Sequence, residues 1–283
     1  MNVSTSPLAL SELLARTTAV MDGAVATPTA EGIRVGVDLG TAYTVVIATD
    51  GAGAPLAGAY EFGRVTRDGV VVDFHGAIRL VTQLREQVEE RLGMDIDHAA
   101  SGFPPGVARS EVRAVEYVLE AAGMTCSALV DEPTAANEVL RLSRGAVVDI
   151  GGGTTGIAVF RDDEIDDVAD EPTGGTQATL VIAGGLGVSV DDAEAAKRDP
   201  ARAAELAPML RPVWEKIGTI VAQVIAPHDV PVIQLVGGTC RFPGIDRVIE
   251  SVTGVPTEVP GDPLFVTALG LSYRDEVRNG DAR

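Results

Sequence analysis

Ala146-Val-Val-Asp-Ile-Gly-Gly-Gly-Thr-Thr-Gly-Ile-Ala-Val-Phe160 reads as strand, glycine turn, strand. Apolar, largely β-branched residues flank a turn that only glycines close so tightly. The same pattern stands earlier in the chain, as Val35-Gly-Val-Asp-Leu-Gly-Thr-Ala-Tyr-Thr-Val-Val-Ile47. Each copy has an Asp near the end of its first strand and a Gly-Thr in its turn. A spacing of about 110 residues is too long for a solenoid repeat and predicts two structurally duplicated α/β domains.

Such a turn binds phosphate without a lysine. Glycines let successive backbone N–H groups point into one concavity, and the Thr hydroxyl adds a donor. The Asp at the strand end suits the water shell of Mg²⁺, which takes few carboxylates and keeps several waters. One glycine hairpin alone is more often just a tight turn. Two copies with matching Asp and Thr would grip a phosphate chain from both sides, and they point to nucleotide binding.

Composition limits the ligand. The 283 residues carry 41 Asp+Glu against 22 Lys+Arg, a net charge of −19. With 46% hydrophobic residues and a mean hydropathy of +0.20, this is a folding chain and not an acidic tail. The charge argues against nucleic acid and against an anionic membrane surface, both of which need clustered cations. Lys197 and Lys216 are the only lysines, so no lysine serves the first two thirds of the chain. Cys126 and Cys240 match no metal spacing and fit a reducing compartment. With no secretory signal and no membrane-length apolar run, we expect a soluble, cytoplasmic protein.

Ser6 as N-cap and Pro7 at the first helical position predict a helix within residues 1–22, with Leu10, Leu13, Leu14, Thr17 and Met21 on one face. A small-residue linker, Gly23–Gly32, follows. The helix either packs on the domain's own surface or is a detachable docking segment presented to a partner. After the first hairpin we expect strands at Val70–Asp73, Ala99–Phe103 and Ala128–Val130. The helices expected between and after them are Ala77–Leu92, Ser110–Ala122 and Pro133–Leu142. After the second hairpin come helices at Val190–Arg198 and Pro208–Ala226, a strand at Val232–Val236, and helices at Gly244–Ser251 and Pro263–Arg274.

In this order, the segments resemble the ATPase superfamily shared by actin, DnaK-type chaperones and MreB. Gly36–Thr41 and Asp149–Thr154 resemble its two phosphate loops. Asp131-Glu-Pro-Thr-Ala-Ala136 resembles its first hinge, Glu194-Ala-Ala-Lys-Arg198 an adenosine-contacting helix, and Leu235-Val-Gly-Gly-Thr-Cys-Arg-Phe-Pro243 its adenosine loop. Within the superfamily, Arg67–Phe74, Phe103-Pro-Pro-Gly106, Val130–Ala135, Val148–Ile157 and Thr173-Gly-Gly175 resemble the EutJ family, chaperone-like proteins of ethanolamine-utilisation operons. The implied fold is α/β and actin-like, with two RNase H-like lobes around a nucleotide cleft. We expect an N-terminal helix and linker over 1–31, a first lobe over 32–144 plus 260–276, and a second over 145–259.

The resemblance also implies roles. Asp38 and Asp149 would sit at Mg²⁺ through water, and Glu132 would orient the attacking water or act as a weak base. Gly36, Gly40, Thr41, Gly151, Gly152, Gly153 and Thr154 would hold the phosphates of ATP. Gly237, Gly238 and Thr239 would let adenosine approach the backbone, Arg198 and Arg241 would stack on the two faces of adenine, and Glu194 and Lys197 would bind ribose. Taken alone, an acidic residue with Lys and Arg three and four positions on is usually a solvated helix face.

Departures from the pattern are informative. The phosphate-contacting lysine of DnaK-type chaperones has no counterpart in the first lobe, which implies slow or absent hydrolysis. Leu264 and Phe265 stand in the second hinge where chaperones are acidic. We expect no β-rich peptide-binding domain after the ATPase fold. The leading expectation is an ATP-binding, slowly hydrolysing switch that assists ethanolamine-pathway enzymes such as ethanolamine ammonia-lyase, or microcompartment shell proteins. A non-hydrolysing scaffold or filament subunit, and a small-molecule kinase, are the alternatives.

Overall fold

In the computed structural model, residues 9–67 and 69–278 are described. Helix α1 (Leu10–Met21) comes first, then a meander of β1 (Ile33–Leu39), β2 (Tyr43–Asp50) and β3 (Pro55–Phe62). A small hairpin, β4 (Thr66–Arg67) and β5 (Val70–Val71), leads to α2 (Phe74–Leu92). Then come β6 (His98–Phe103), α3 (Arg109–Ala121), β7 (Thr125–Asp131) and α4 (Glu132–Leu140). The plan restarts with β8 (Gly145–Ile150), β9 (Thr155–Arg161), β10 (Glu164–Glu171), α5 (Gly175–Leu186), α6 (Val190–Arg198) and α7 (Ala203–Ile225). It closes with β11 (Ile233–Val236), α8 (Ile245–Thr253), β12 (Thr257–Glu258) and α9 (Val266–Arg274).

The two sheets are duplicates. One runs β3-β2-β1-β6-β7 and the other β10-β9-β8-β11-β12. In each, the first three strands are antiparallel neighbours and the remaining strands join in parallel. The glycine turns close alike, with Gly40 N–H donating to the Tyr43 carbonyl at 3.0 Å and Gly151 N–H to that of Thr154 at 3.0 Å.

Each sheet has its own apolar core on one face, under α2 and α3 in the first and under α5–α8 in the second. A third cluster joins the other faces: Val45 and Ile47 from one sheet meet Val147, Ala158 and Val236 from the other around α4 and α9. Two glycines set how closely α9 approaches. A Cβ on Gly270 would lie 1.7 Å from the Ala135 carbonyl oxygen of α4, and one on Gly36 would lie 2.1 Å from that of Ala268.

Helix α1 belongs to this middle layer. Leu14, Thr17, Val20 and Met21 are buried, and Met21 lies over Gly58 of β3. The docked reading of the helix therefore describes the observed packing, and the detachable one does not. Leu10 is half exposed, and Val20 takes a place on the buried face. Ser6 and Pro7, the expected start, lie outside the described residues. The sequence pattern predicts no β3, β4, β10, β12 or α5, and it starts α7 five residues late.

Candidate functional site

The carboxylates of the two glycine hairpins line one cavity of about 200 Å³ between the sheets. Asp38 comes from β1 and Asp149 from β8; Glu132 comes from the first turn of α4. That turn is fixed locally: the Asp131 side chain caps it by accepting from Thr134 N–H at 3.0 Å, and Pro133 follows Glu132. Burial pushes the Asp38 carboxyl up to about 7, with the Asp149 charge adding to it. Burial raises Asp149 to about 6, against a hydroxyl bond from Thr267 that lowers it. Glu132 is held well above the usual carboxylate range by burial, then by Asp38, Asp149, Asp170 and Asp131. Acids packed this way hold protons or recruit a cation.

The second glycine loop is anchored from behind. The Gly151 carbonyl accepts from Gly175 N–H at 3.0 Å and from the Thr239 hydroxyl at 2.7 Å. The Gly152 carbonyl accepts from the N–H and hydroxyl of Thr176 at 2.8 and 2.7 Å. With these carbonyls and the Gly151 N–H engaged, the N–H groups of Gly152 and Gly153 and the Thr154 hydroxyl are what the loop offers an anion. The first loop adds Gly40 and Thr41 to the lining, and the two loops touch: a Cβ on Gly152 would lie 3.0 Å from that of Ala42.

At the other end, Glu194, Lys197, Arg198, Gly237, Gly238, Thr239 and Arg241 line the same cavity. Gly237 has φ +90°, and a Cβ there would lie 2.3 Å from Asp149 Oδ1, so backbone passes where no side chain fits. Lys197 Nζ donates to the Gly175 carbonyl at 2.9 Å and to the Thr179 hydroxyl at 2.8 Å, and pairs with Glu194 at 2.8 Å. Burial lowers its pKa, with Glu194 opposing. Arg198 lies over the Phe62 ring at 4.4 Å, with its NH1 3.3 Å from the Tyr43 hydroxyl. Arg241 forks onto Asp262 and lies 5.0 Å from the Phe265 ring centre.

Of the residues expected at a site, Gly36 alone is not part of this lining; its role is the close approach of α9. Arg198 and Arg241, expected on the two faces of one base, both line the cavity. Each guanidinium already lies over an aromatic ring of the chain itself, because Phe62 and Phe265 offer π faces nearby. Thr267, Thr179, Asp262 and Phe62 were missed. None sits in a glycine motif, and only the folded chain brings them to the loops.

The residues fit a hydrated divalent cation. Asp149 is buried and Asp38 half-buried, and a cation would relieve their repulsion. Among the described residues no group of three His, Cys, Asp or Glu is placed to hold a metal directly.

Duplicated sheets with paired glycine hairpins facing one cleft make an actin-like ATPase fold. The model for the MreB/Mbl protein matches residues 58–183, and that for cell division protein FtsA matches residues 146–270. Spiroplasma citri MreB5, solved bound to ADP, superposes with a TM-score of 0.66 at 17% identity, over 84% of this chain and 94% of that one.

The family is narrower than the fold. Ethanolamine utilization protein EutJ of Salmonella typhimurium is 39% identical over 239 residues, 84% of each chain. The crystal structure of EutJ from Carboxydothermus hydrogenoformans superposes with a TM-score of 0.87 at 41% identity, over 93% of this chain and 97% of that one. The chain belongs to the EutJ family. No helix among its described residues is long and apolar enough to cross a membrane.

Proposed function

We propose that this chain is an Mg²⁺–ATP-binding switch of ethanolamine utilisation, with turnover slow or absent. The observation that carries the reading is the convergence of Asp38, Glu132 and Asp149 with both glycine loops on one cavity. Mg²⁺ would supply charge neutralisation along the phosphates; Asp38 and Asp149 would hold its waters. Glycine N–H groups with Thr41 and Thr154 would bind phosphate, and Glu132 would orient water near the terminal phosphate. Glu194, Lys197, Arg198, Gly237, Gly238, Thr239 and Arg241 would surround the nucleoside.

A cavity of about 200 Å³ is smaller than the ~300–1,000 Å³ typical of ligand pockets, so nucleotide entry needs the sheets to part. The parts that move would be a first lobe of residues 32–144 plus 260–276 and a second of 145–259, with 1–31 as helix and linker. Opening and closing would change a surface read by a partner, such as ethanolamine ammonia-lyase or a microcompartment shell protein in the cytoplasm. The missing first-lobe lysine favours a second reading, a scaffold that binds nucleotide without hydrolysing it.

Calorimetry with ATP and Mg²⁺ tests binding; micromolar affinity is expected, and no binding of any adenine nucleotide ends the switch reading. An ATPase assay with and without ethanolamine ammonia-lyase separates the two readings. Stimulation establishes a client-coupled cycle, and silence in both arms leaves the scaffold.

A further inference from the structure

Among the described residues, Asp149 differs from the other two cleft carboxylates in having a buried hydroxyl partner. Thr267 Oγ1 donates to its Oδ2 at 2.6 Å. Both residues are buried, at 2% and 6% exposure. The other oxygen, Oδ1, faces Gly237, where only a missing side chain leaves room. The carboxylate is therefore gripped at one oxygen and closely packed at the other.

The donor is rigidly mounted. Val266 to Ser272 are all buried, and α9 is locked by the Gly36 and Gly270 contacts described above. Those contacts tie α9 to β1, which carries Asp38, and to α4, which carries Glu132. Asp149 belongs to the other sheet. Thr267 is thus a hydrogen bond from the frame that holds Asp38 and Glu132 to the carboxylate they must face.

We propose that Thr267 is a positioning residue: its hydroxyl orients Asp149 toward Asp38 and Glu132, so that a hydrated divalent cation meets all three carboxylates in one arrangement when nucleotide binds. This rests on the nucleotide-binding reading and adds to it which residue sets the cation dependence. A side chain left unfixed in a buried acidic cluster adopts other rotamers, and placement of the cation's waters is lost. Val at this position keeps the shape and removes the donor; Ser keeps the donor and removes the methyl.

The test uses the full chain. ATP affinity is measured by calorimetry with Mg²⁺ and with EDTA for wild type, Thr267→Val, Thr267→Ser and Asp149→Asn. Thr267→Val is also combined with Asp149→Asn, and thermal unfolding of each variant is recorded. Removing a hydrogen bond to a charged group predicts a loss of roughly tenfold or more in the affinity gained from Mg²⁺. The EDTA affinity of Thr267→Val should stay near that of wild type, Thr267→Ser should restore the gain, and Thr267→Val should add nothing to Asp149→Asn. An unchanged Mg²⁺ gain in Thr267→Val overturns the inference, as does additivity in the double variant. If Thr267→Val does not fold, Thr267→Ser decides, since loss of the Mg²⁺ gain with the hydroxyl present also overturns it. Wild type that binds no ATP in either arm removes the nucleotide reading itself, an outcome distinct from these.

Discussion

The two halves share a strand plan and diverge in what covers it. Strand β3 is buried from Pro55 to Ala59, under α1 and α2. Its counterpart β10 is exposed from Glu164 to Val168 and carries Asp166 and Asp167 there. In β1, Gly36 admits α9; in β8, Val147 fills the matching place in the core. Of the paired carboxylates, Asp149 has the Thr267 hydroxyl, and Asp38 has no such donor among the described residues. The duplication persists at the loops that face the cleft and breaks where a half meets α1 or α9. Those two helices give the first half its different surface.

Removing residues 1–22 breaks the comparison most severely, because it strips one of the two helices that cover β3 and leaves one face of that strand as bare as β10. Burial of Leu14, Val20 and Met21 is worth about 5 kcal/mol, comparable to the whole stability of a modest domain. We expect the truncated chain to unfold or aggregate, read by urea denaturation. An unchanged midpoint would return α1 to the status of a detachable tag.

Gly36→Val gives β1 the residue that β8 has. The Cβ alone overlaps the Ala268 carbonyl, so α9 must shift; about 3 kcal/mol of destabilisation is expected in the same assay. A neutral result would mean that α9 does not constrain the first sheet.

Asp38→Asn tests the two carboxylates. A carboxyl whose folded pKa is about 7 against an ordinary 3.8 binds its proton more tightly in the native state. Its contribution to stability is complete below about pH 4 and is lost as pH rises towards about 7. Asn removes that loss, so at pH 8 Asp38→Asn should be more stable than wild type by up to about 4 kcal/mol, with little difference at pH 4. Asp149→Asn should gain less, since Asp149 rises only to about 6 and its replacement disturbs Thr267. Equal gains would mean that the hydroxyl does nothing for Asp149.

The sequence carried the cleft and hid its surroundings for identifiable reasons. Asp38, Asp149 and the glycine turns were legible because each hairpin is local and because the pattern occurs twice. Strand β3 was not, since Pro55-Leu-Ala-Gly-Ala59 lacks β-branched residues and is stabilised by what packs on it. Acidic residues concealed β10, and α5 is so evenly apolar that it shows no helical periodicity. Thr267 was unreadable because its partner lies 118 residues away. Gly36, expected at the phosphates, stands outside the cavity lining and against α9; a glycine in a strand serves close backbone approach as readily as ligand binding.

The smallest expected effect concerns β10 itself. Ile165 and Val168 are apolar yet exposed, at 45% and 37%, on a sheet edge where acidic neighbours discourage strand pairing. Asp166 is held by Arg161 at 2.6 Å and by His228 at 2.8 Å, so the strand keeps its place without a covering helix. Val168→Lys should therefore change unfolding stability by no more than about 0.5 kcal/mol and leave ATP affinity unchanged. The equivalent insult on β3, Ala57→Lys, places a charge at a fully buried position and should prevent folding. If Val168→Lys is as damaging as Ala57→Lys, β10 is covered as β3 is, and the contrast between the halves fails at its outermost strand.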